Sequence, residues 1–425
     1  MPAALLLALL APPPPPQLFL PPSGLGPQEL AVVINTRDPQ SVAVASYYIA
    51  KRGIPFANVA SVAFDPAPPG GAMPLGEFLR VHAEVSARLS PRVQAFALTW
   101  TEPHRVECMG MTSAWAFGYD PRWCNGRDPG ACRPTQRSPF YDSPSHLPWL
   151  AHRLRPAMML AGRDVVAVRA LIDRGVASDG TLPAGEGWFV RTTDRARNVR
   201  WPDFQAAVQR WAAMPGLALR YVDNAAGTGT DLVTDRRGVL FYFTGLPRVP
   251  RIGSNRFLPG AVADHLTSVG GRMRVHADSV DDGDQYTVLD WLDRGVTASY
   301  GTAWEPCNIT AKFPSPTVLL GHYLRGAPVI EAYWKSVMMP GEGNFAGEPL
   351  ASPWRRDSLA WDAATRRLSG TTAAFVPGLV YAIESADRLD GPWTPTGEYV
   401  RVERPERRTV VIQPATAPLY RLRPI

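Results

Sequence analysis

Between Glu29 and Thr99, short apolar runs alternate with amphipathic ones: ELAVVIN (29–35), then SVAVASYYIAKRGIP, VASVAF (59–64), LGEFLRVHAEVSARL (75–89) and VQAFALT (93–99). Adjacent parallel strands need a crossover that returns the chain to the same edge, and a helix is the common solution. Three such units in a row predict an α/β architecture with a mostly parallel sheet flanked by helices. Ser41 is expected to cap the first helix, Lys51 and Arg52 suit its negative end, and Gly53 with Pro55 stops it.

The alternation breaks from Trp100 to Pro148, a stretch too long for an ordinary connection and therefore read as a functional loop or a lid. Two helix candidates follow, HLPWLAHRLRPAMML (146–160) and RDVVAVRALIDRGVAS (163–178). After them come strand GWFVRTT (187–193), helix DFQAAVQRWAAM (203–214), and strands LALRYVD and GVLFYFTG. The last is apolar on both faces, as a central strand is. A loop, GEGNFAGEPLASPW, is expected to close the domain near Trp354. Beyond Arg355 the texture becomes period-two alternation between Gly, Pro and Asp turns, which predicts a small β-sandwich. The expected organisation is a leader and Pro-rich spacer over 1–28, an α/β domain over 29–354 and the β-sandwich over 355–425.

At 425 residues with 45% apolar content, the chain can bury a large core. Its net charge of +6 is almost wholly arginine, the only lysines being Lys51, Lys312 and Lys335. The arginines are scattered in sequence, so no nucleic-acid partner is expected. Ala3 to Ala11 is an apolar run ended by five prolines, too short for a bilayer, which needs roughly 20 residues, but suited to a signal-peptide core. No Lys or Arg precedes it. The reading is an exported protein with no membrane span in the mature chain, acting in the periplasm, at the cell surface or outside the cell.

Cys108, Cys124, Cys132 and Cys307 are few for a disulfide framework. Cys124 and Cys132 flank the turn-rich NGRDPGA, and a bridge between them would stabilise the loop by roughly 2.5 kcal/mol. The alternative, zinc held by these cysteines with His104, lacks a C-x-x-C pair, and no metal or other cofactor is expected.

Reactive side chains concentrate between Gly260 and Trp334, where Asp264, His265, Ser268, Glu305 and Cys307 surround glycine turns and the short strand VTASYGT. Cys307 follows that strand, so it is expected at the carboxyl edge of the sheet, where sites form. An imidazole nearby would make the thiol a nucleophile, giving a His265–Cys307 dyad. A serine variant from Asp264, His265 and Ser268 is disfavoured because residues 264 and 265 are adjacent. The hydroxyls of Thr267 and Ser268 more readily satisfy backbone groups before the Gly270-Gly271 turn. Asp278, Asp281, Asp282 and Asp284 offer oxygens to calcium, without EF-hand spacing, and a solvated acidic loop is the simpler reading. Glu305 is a base or a capping carboxylate. Trp100, Trp115, Trp123, Trp149, Trp201 and Trp304 could stack on a sugar or peptide but are first of all packing. No phosphate-binding glycine loop is present.

From VVINTRDPQSVAVASYYIAKRGIP through EPCNITAKFPSP, HYLRGAPVIEAYW and GEPLASP, the chain resembles an uncharacterised family of exported bacterial proteins associated with the exosortase (PEP-CTERM) sorting system. ADHLTS followed by GVTASYGTAWEPC is the most specific part of the likeness. More distantly, the order FYFTG, ADHLTSVGG, TVLDWLDRG, VTASYGT resembles the catalytic half of gingipain-type and caspase-like cysteine peptidases. That family ends the first of these strands in His-Gly and the second in Cys; here Thr244-Gly245 and Thr267-Ser268 stand there. The resemblance implies a peptidase-like scaffold that binds protein or a cell-envelope polymer in exosortase-linked envelope or exopolysaccharide biogenesis. An active cysteine hydrolase using His265 and Cys307 is the alternative.

Overall fold

The computed structural model describes residues 14–125, 132–274, 285–403 and 406–425, so the leader core at 3–11 and the acidic loop at 278–284 lie outside the described residues. Two compact units form: Ser23–Arg356, and Met1–Pro22 with Asp357–Ile425.

The chain enters the smaller unit with β1 (Gln17–Phe19), then builds the larger. There β2 (Leu30–Asn35), α1 (Pro39–Arg52), β3 (Val59–Val62), α2 (Leu75–Arg88) and β4 (Ala95–Leu98) realise the alternation of the first hundred residues. Asp38, rather than Ser41, caps α1 by accepting from Gln40 N at 2.9 Å, with Pro39 next and Gly53 left-handed at the far end. Ser41 Oγ instead accepts from Asn35 N and shares a hydrogen bond with Thr99 Oγ1, tying α1 to the ends of β2 and β4.

The long connection carries a two-residue hairpin, β5 (Arg105–Val106) and β6 (Met109–Gly110), then α3 (Met111–Phe117) and α4 (Pro148–His152). The helix expected over 146–160 stops early. Arg153 adopts left-handed φ 57° and Pro156 follows, so the apolar AMM becomes strand β7 (Ala157–Met159), buried on both faces.

The chain continues with α5 (Val165–Ser178), β8 (Gly185–Arg191), α6 (Trp201–Trp211), β9 (Leu217–Asp223), β10 (Arg237–Thr244), β11 (Arg256–His265), α7 (Val288–Leu292) and β12 (Ala298–Thr302). The run 317–334 divides into α8 (Pro316–Tyr323) and α9 (Val329–Ser336), with Pro328 at the N-cap position of the second. The expected closing loop instead supplies a central strand, β13 (Gly343–Gly347). Its Phe345 and Ala346 are buried between sheet neighbours, which compensates for the poor strand propensity of its glycines.

These strands form one ten-stranded sheet in the order β3-β2-β4-β7-β13-β12-β11-β10-β8-β9. Every pairing is parallel except β12 with β13, where Ala298 faces Gly347 and Thr302 faces Gly343. The sheet is thus mixed: two parallel halves run in opposite senses and meet at one antiparallel seam. Helices cover both faces. On one, α1, α5, α6, α8 and α9 pack around Tyr48, Ile172, Phe241, Phe243 and Trp334. On the other, α2, α3 and α7 pack around Phe78, Trp115 and Leu289. Trp100 and Trp115 are fully buried, as packing residues are.

In the smaller unit, β14 (Ser358–Asp362), β15 (Arg367–Thr372), β16 (Val380–Ala386), β17 (Thr394–Arg401), β18 (Arg408–Ile412) and β19 (Leu419–Pro424) form two sheets. One is β14-β15-β18, the other β1-β19-β16-β17. Leu18, Leu368, Phe375, Tyr381, Val410 and Tyr420 share one core. β1 pairs in parallel with β19, so part of the expected spacer is a strand of this unit. Among the described residues, no helix is long and apolar enough to cross a membrane.

Candidate functional site

β8, β10, β11 and β12 all run in one direction, so the segments after them gather along one rim. The connection after β8 leads outward to the edge strand β9, whereas the one after β10 leads inward to β11. The carboxyl ends of β8 and β10 therefore flank a topological switch point, the usual place for a binding crevice in such a sheet.

Two close approaches set the rim. A side chain on Gly271 would sit 2.2 Å from Gly301 O, and one on Gly301 would sit 2.3 Å from the Gly270 carbonyl carbon, so the Gly270-Gly271 turn lies directly on β12. Thr302 Oγ1 then donates to the carbonyls of Thr267 and Ser268, at 3.2 and 3.0 Å. The structure brings Thr267 and Ser268 to the end of β12 as backbone partners, while the Thr267 hydroxyl itself donates to Gln285 Oε1.

Asp264 and His265, adjacent on β11, project to opposite faces, so no triad with Ser268 forms. Trp291 Nε1 donates to His265 Nδ1 at 2.9 Å, and His265 Nε2 donates to Tyr286 O at 3.1 Å. Both ring nitrogens are occupied and the ring is only 2% exposed. Burial first, with Arg200 and Arg197 nearby, pushes its pKa down to about 4. His265 is thus a neutral structural histidine and not an available base. Its pKa is depressed relative to the unfolded chain, so the unfolded state binds the extra proton first. Stability is expected to fall as pH drops from about 6.5 toward 4, by about 1.4 kcal/mol per unit for this residue. Urea denaturation at pH 7 and pH 5 of wild type and His265→Gln measures it; an equal acid loss in both proteins would show that His265 contributes none of it.

Cys307 carries no thiol. It is bonded to Cys132, and Cys124 is bonded to Cys108, which replaces the expected Cys124–Cys132 bridge, and no cysteine is free. The zinc alternative with His104 loses its thiolates for the same reason. Spacing favoured the short loop, but the fold brings the long connection and the turn after β12 together. In that turn Glu305 Oε1 accepts from Cys307 N at 2.8 Å, a capping role, and the carbonyl of Glu305 accepts from Asn125 Nδ2. Beneath them, buried Lys312 donates to Glu342 at 2.7 Å and to Asn125 at 3.0 Å. The His265–Cys307 dyad therefore does not exist in this oxidised fold.

What the rim offers instead is a cavity of about 310 Å³ between the start of α6 and the segment before α8. Val199, Pro202, Phe313 and Met338 give it apolar walls; Tyr141, Asp203 and Ser315 add polar groups. Arg200, 3% exposed, anchors it. Its Nη1 donates to Pro314 O and its Nη2 to Thr244 O, while Nη2 also lies 2.7 Å from Asp264 Oδ1. Burial raises the Asp264 carboxyl pKa, and Arg200 opposes that shift. Arg200 Nε is buried without a partner, as is Asp203 Oδ2. A concave, mostly apolar site with a few fixed polar groups has the make-up of a ligand pocket. No motif marks Arg200. The signal present in the sequence was WPDF (201–204), a proline and an acidic residue opening a helix, which places the start of α6 without revealing what it faces.

No protein-family profile matches the chain, and no curated protein matches it.

Proposed function

We propose that this chain is an exported scaffold of caspase- or gingipain-like fold, with a small C-terminal β-sandwich, that binds protein or a cell-surface polymer at its carboxyl rim without hydrolysing it. The observation that carries the reading is Cys307, whose sulfur is engaged with Cys132. His265, the base that would have activated it, has both ring nitrogens in hydrogen bonds. Disulfides persist in oxidising compartments, which supports export. Exosortase-linked envelope or exopolysaccharide biogenesis is the setting that the family resemblance implies.

The cavity beside Arg200 is the binding locus in this reading. Extended blocked peptides and envelope oligosaccharides, titrated calorimetrically, are expected to bind without being cleaved. Ala311→Trp, which fills the cavity from its partly exposed wall, is expected to lower affinity at least about tenfold, since 1.4 kcal/mol of lost contact suffices. Its melting temperature should stay near that of wild type. Selective labelling of native, unreduced protein at Cys307 by a mild thiol electrophile, abolished by His265→Ala, would overturn the non-catalytic reading. Unchanged binding by Ala311→Trp would remove the cavity from it.

A further inference from the structure

The strand edge opposite this rim carries a different surface. Trp188, in the middle of β8, is only 8% exposed. Its indole is covered by two arginines: the guanidinium of Arg220, its register partner on β9, lies 5.4 Å from the ring centroid, and that of Arg236 lies at 4.7 Å. The ring is fixed from below, where Nε1 donates to Glu186 Oε2 at 3.0 Å. Arg237 and Arg256 stand side by side as register partners at the amino ends of β10 and β11. Arg256 N donates to the carbonyl of Arg236 at 2.8 Å, and Asn255 Oδ1 accepts from Arg236 N, so all of these residues belong to one surface.

Arg220, Arg236, Arg237 and Arg256 are all exposed, and among the described residues none of the four takes part in an ion pair or a side-chain hydrogen bond. Of the carboxylates nearby, Asp235 is paired with Arg251 at 3.0 Å, and Glu186 accepts from the Trp188 indole. Four like charges beside a single unpaired carboxylate, Glu186, raise the energy of the folded chain, so the arrangement favours an external polyanion. Stacking on an indole also removes much of the rotamer freedom that a guanidinium otherwise loses on binding.

We propose that this surface binds an acidic polysaccharide through its carboxylates. Guanidinium forks match carboxylates in bidentate geometry. The indole face, covered by those same guanidiniums, is not available as a platform for stacked bases, which separates the surface from a single-stranded nucleic-acid site. The inference concerns a surface away from the carboxyl-rim cavity and stands whether or not that cavity takes a ligand.

Polygalacturonate, its fully methyl-esterified form and single-stranded DNA of matched charge are the probes, each titrated against the full chain. Polygalacturonate is expected to bind, and four arginine contacts imply that affinity falls about fiftyfold between about 50 and 200 mM salt. The double variant Arg220→Glu/Arg236→Glu is expected to weaken binding at least about tenfold and to flatten that salt dependence by about half, with an unchanged melting temperature. Ala311→Trp should leave polygalacturonate binding as in wild type, which keeps this test separate from the cavity. The proposal is overturned by any of these results: absence of polygalacturonate binding, equal binding of the neutral ester, a preference for DNA, or wild-type affinity in a folded double variant. Should the double variant not fold, Arg237→Gln/Arg256→Gln carries the same test with the same expected direction.

Discussion

Replacing Cys132 and Cys307 together by serine is expected to lower the unfolding free energy by up to about 5 kcal/mol. The bridge closes a loop of 175 residues, and the entropy that it removes from the unfolded chain grows with the logarithm of that length. The Cys108–Cys124 bridge, across 16 residues, is worth about 3 kcal/mol on the same argument. The two loops do not overlap, so their effects are expected to add. Urea denaturation of the two double-serine variants measures both. The longer bridge should matter more, and the opposite ranking would refute the chain-entropy account for this protein. The same experiment bears on function: if the scaffold only binds, the Cys132→Ser/Cys307→Ser variant, where still folded, should keep its affinity for ligands of the cavity.

The second large effect is expected inside α9. Glu331 and Lys335 are one turn apart, both 0% exposed, with Nζ 2.6 Å from Oε1. His146 Nδ1 lies 2.5 Å from the same oxygen, and Leu25 N donates to Oε2 at 3.1 Å. Burial alone would raise the Glu331 carboxyl; Lys335 and His146 outweigh it and hold the group well below the usual carboxylate range. Burial acts on Lys335 in the direction that disfavours its charge, and Glu331 opposes it. Glu331→Gln leaves the ammonium in a dry site 5.1 Å from the Phe140 ring and is expected to cost about 3–5 kcal/mol. Replacing both partners, as Glu331→Gln/Lys335→Met, should recover much of that loss. A double variant no more stable than Glu331→Gln would show that the pair is not the cause. Because the Glu331 pKa is depressed in the fold, its contribution is complete above about pH 4.3, the unfolded value, and disappears as pH falls toward the folded one.

The local pattern made the first βα units legible, since each helix had an apolar stripe and each strand a buried run. Where periodicity was ambiguous, tertiary context decided. Ala157–Met159 is apolar all round and so fits the preceding helix pattern as well as a strand; only the left-handed turn at Arg153 and the space beside β4 make it a strand. Gly343–Gly347 looks like a loop because its glycines carry no strand preference, yet Gly343 must be small where Tyr300 closes over it. The rim itself was legible: Thr267, Ser268 and the turn with Glu305 and Cys307 follow neighbouring strands as expected. The chemistry was not. Four cysteines allow three pairings, and sequence separation points to the wrong one. Nor does the sequence show that Trp291 and the carbonyl of Tyr286 would occupy both nitrogens of His265. Arg200 acquires its meaning only from contacts with Thr244, Asp264 and Pro314, far away in the chain.

The reversal of strand direction between β12 and β13 has a consequence for how this protein can diversify. A sheet of uniform polarity offers its variable loops a single frontier, and every insertion there competes for room with the others. Here the loops after β2, β4 and β7 open on one frontier and those after β8, β10, β11 and β12 on the other, although a single continuous sheet supports both. Insertions after β2 or β7 therefore lie away from those after β8, β10 or β11, while the Cys132–Cys307 bridge ties the long connection after β4 to the turn after β12 and so couples the two frontiers.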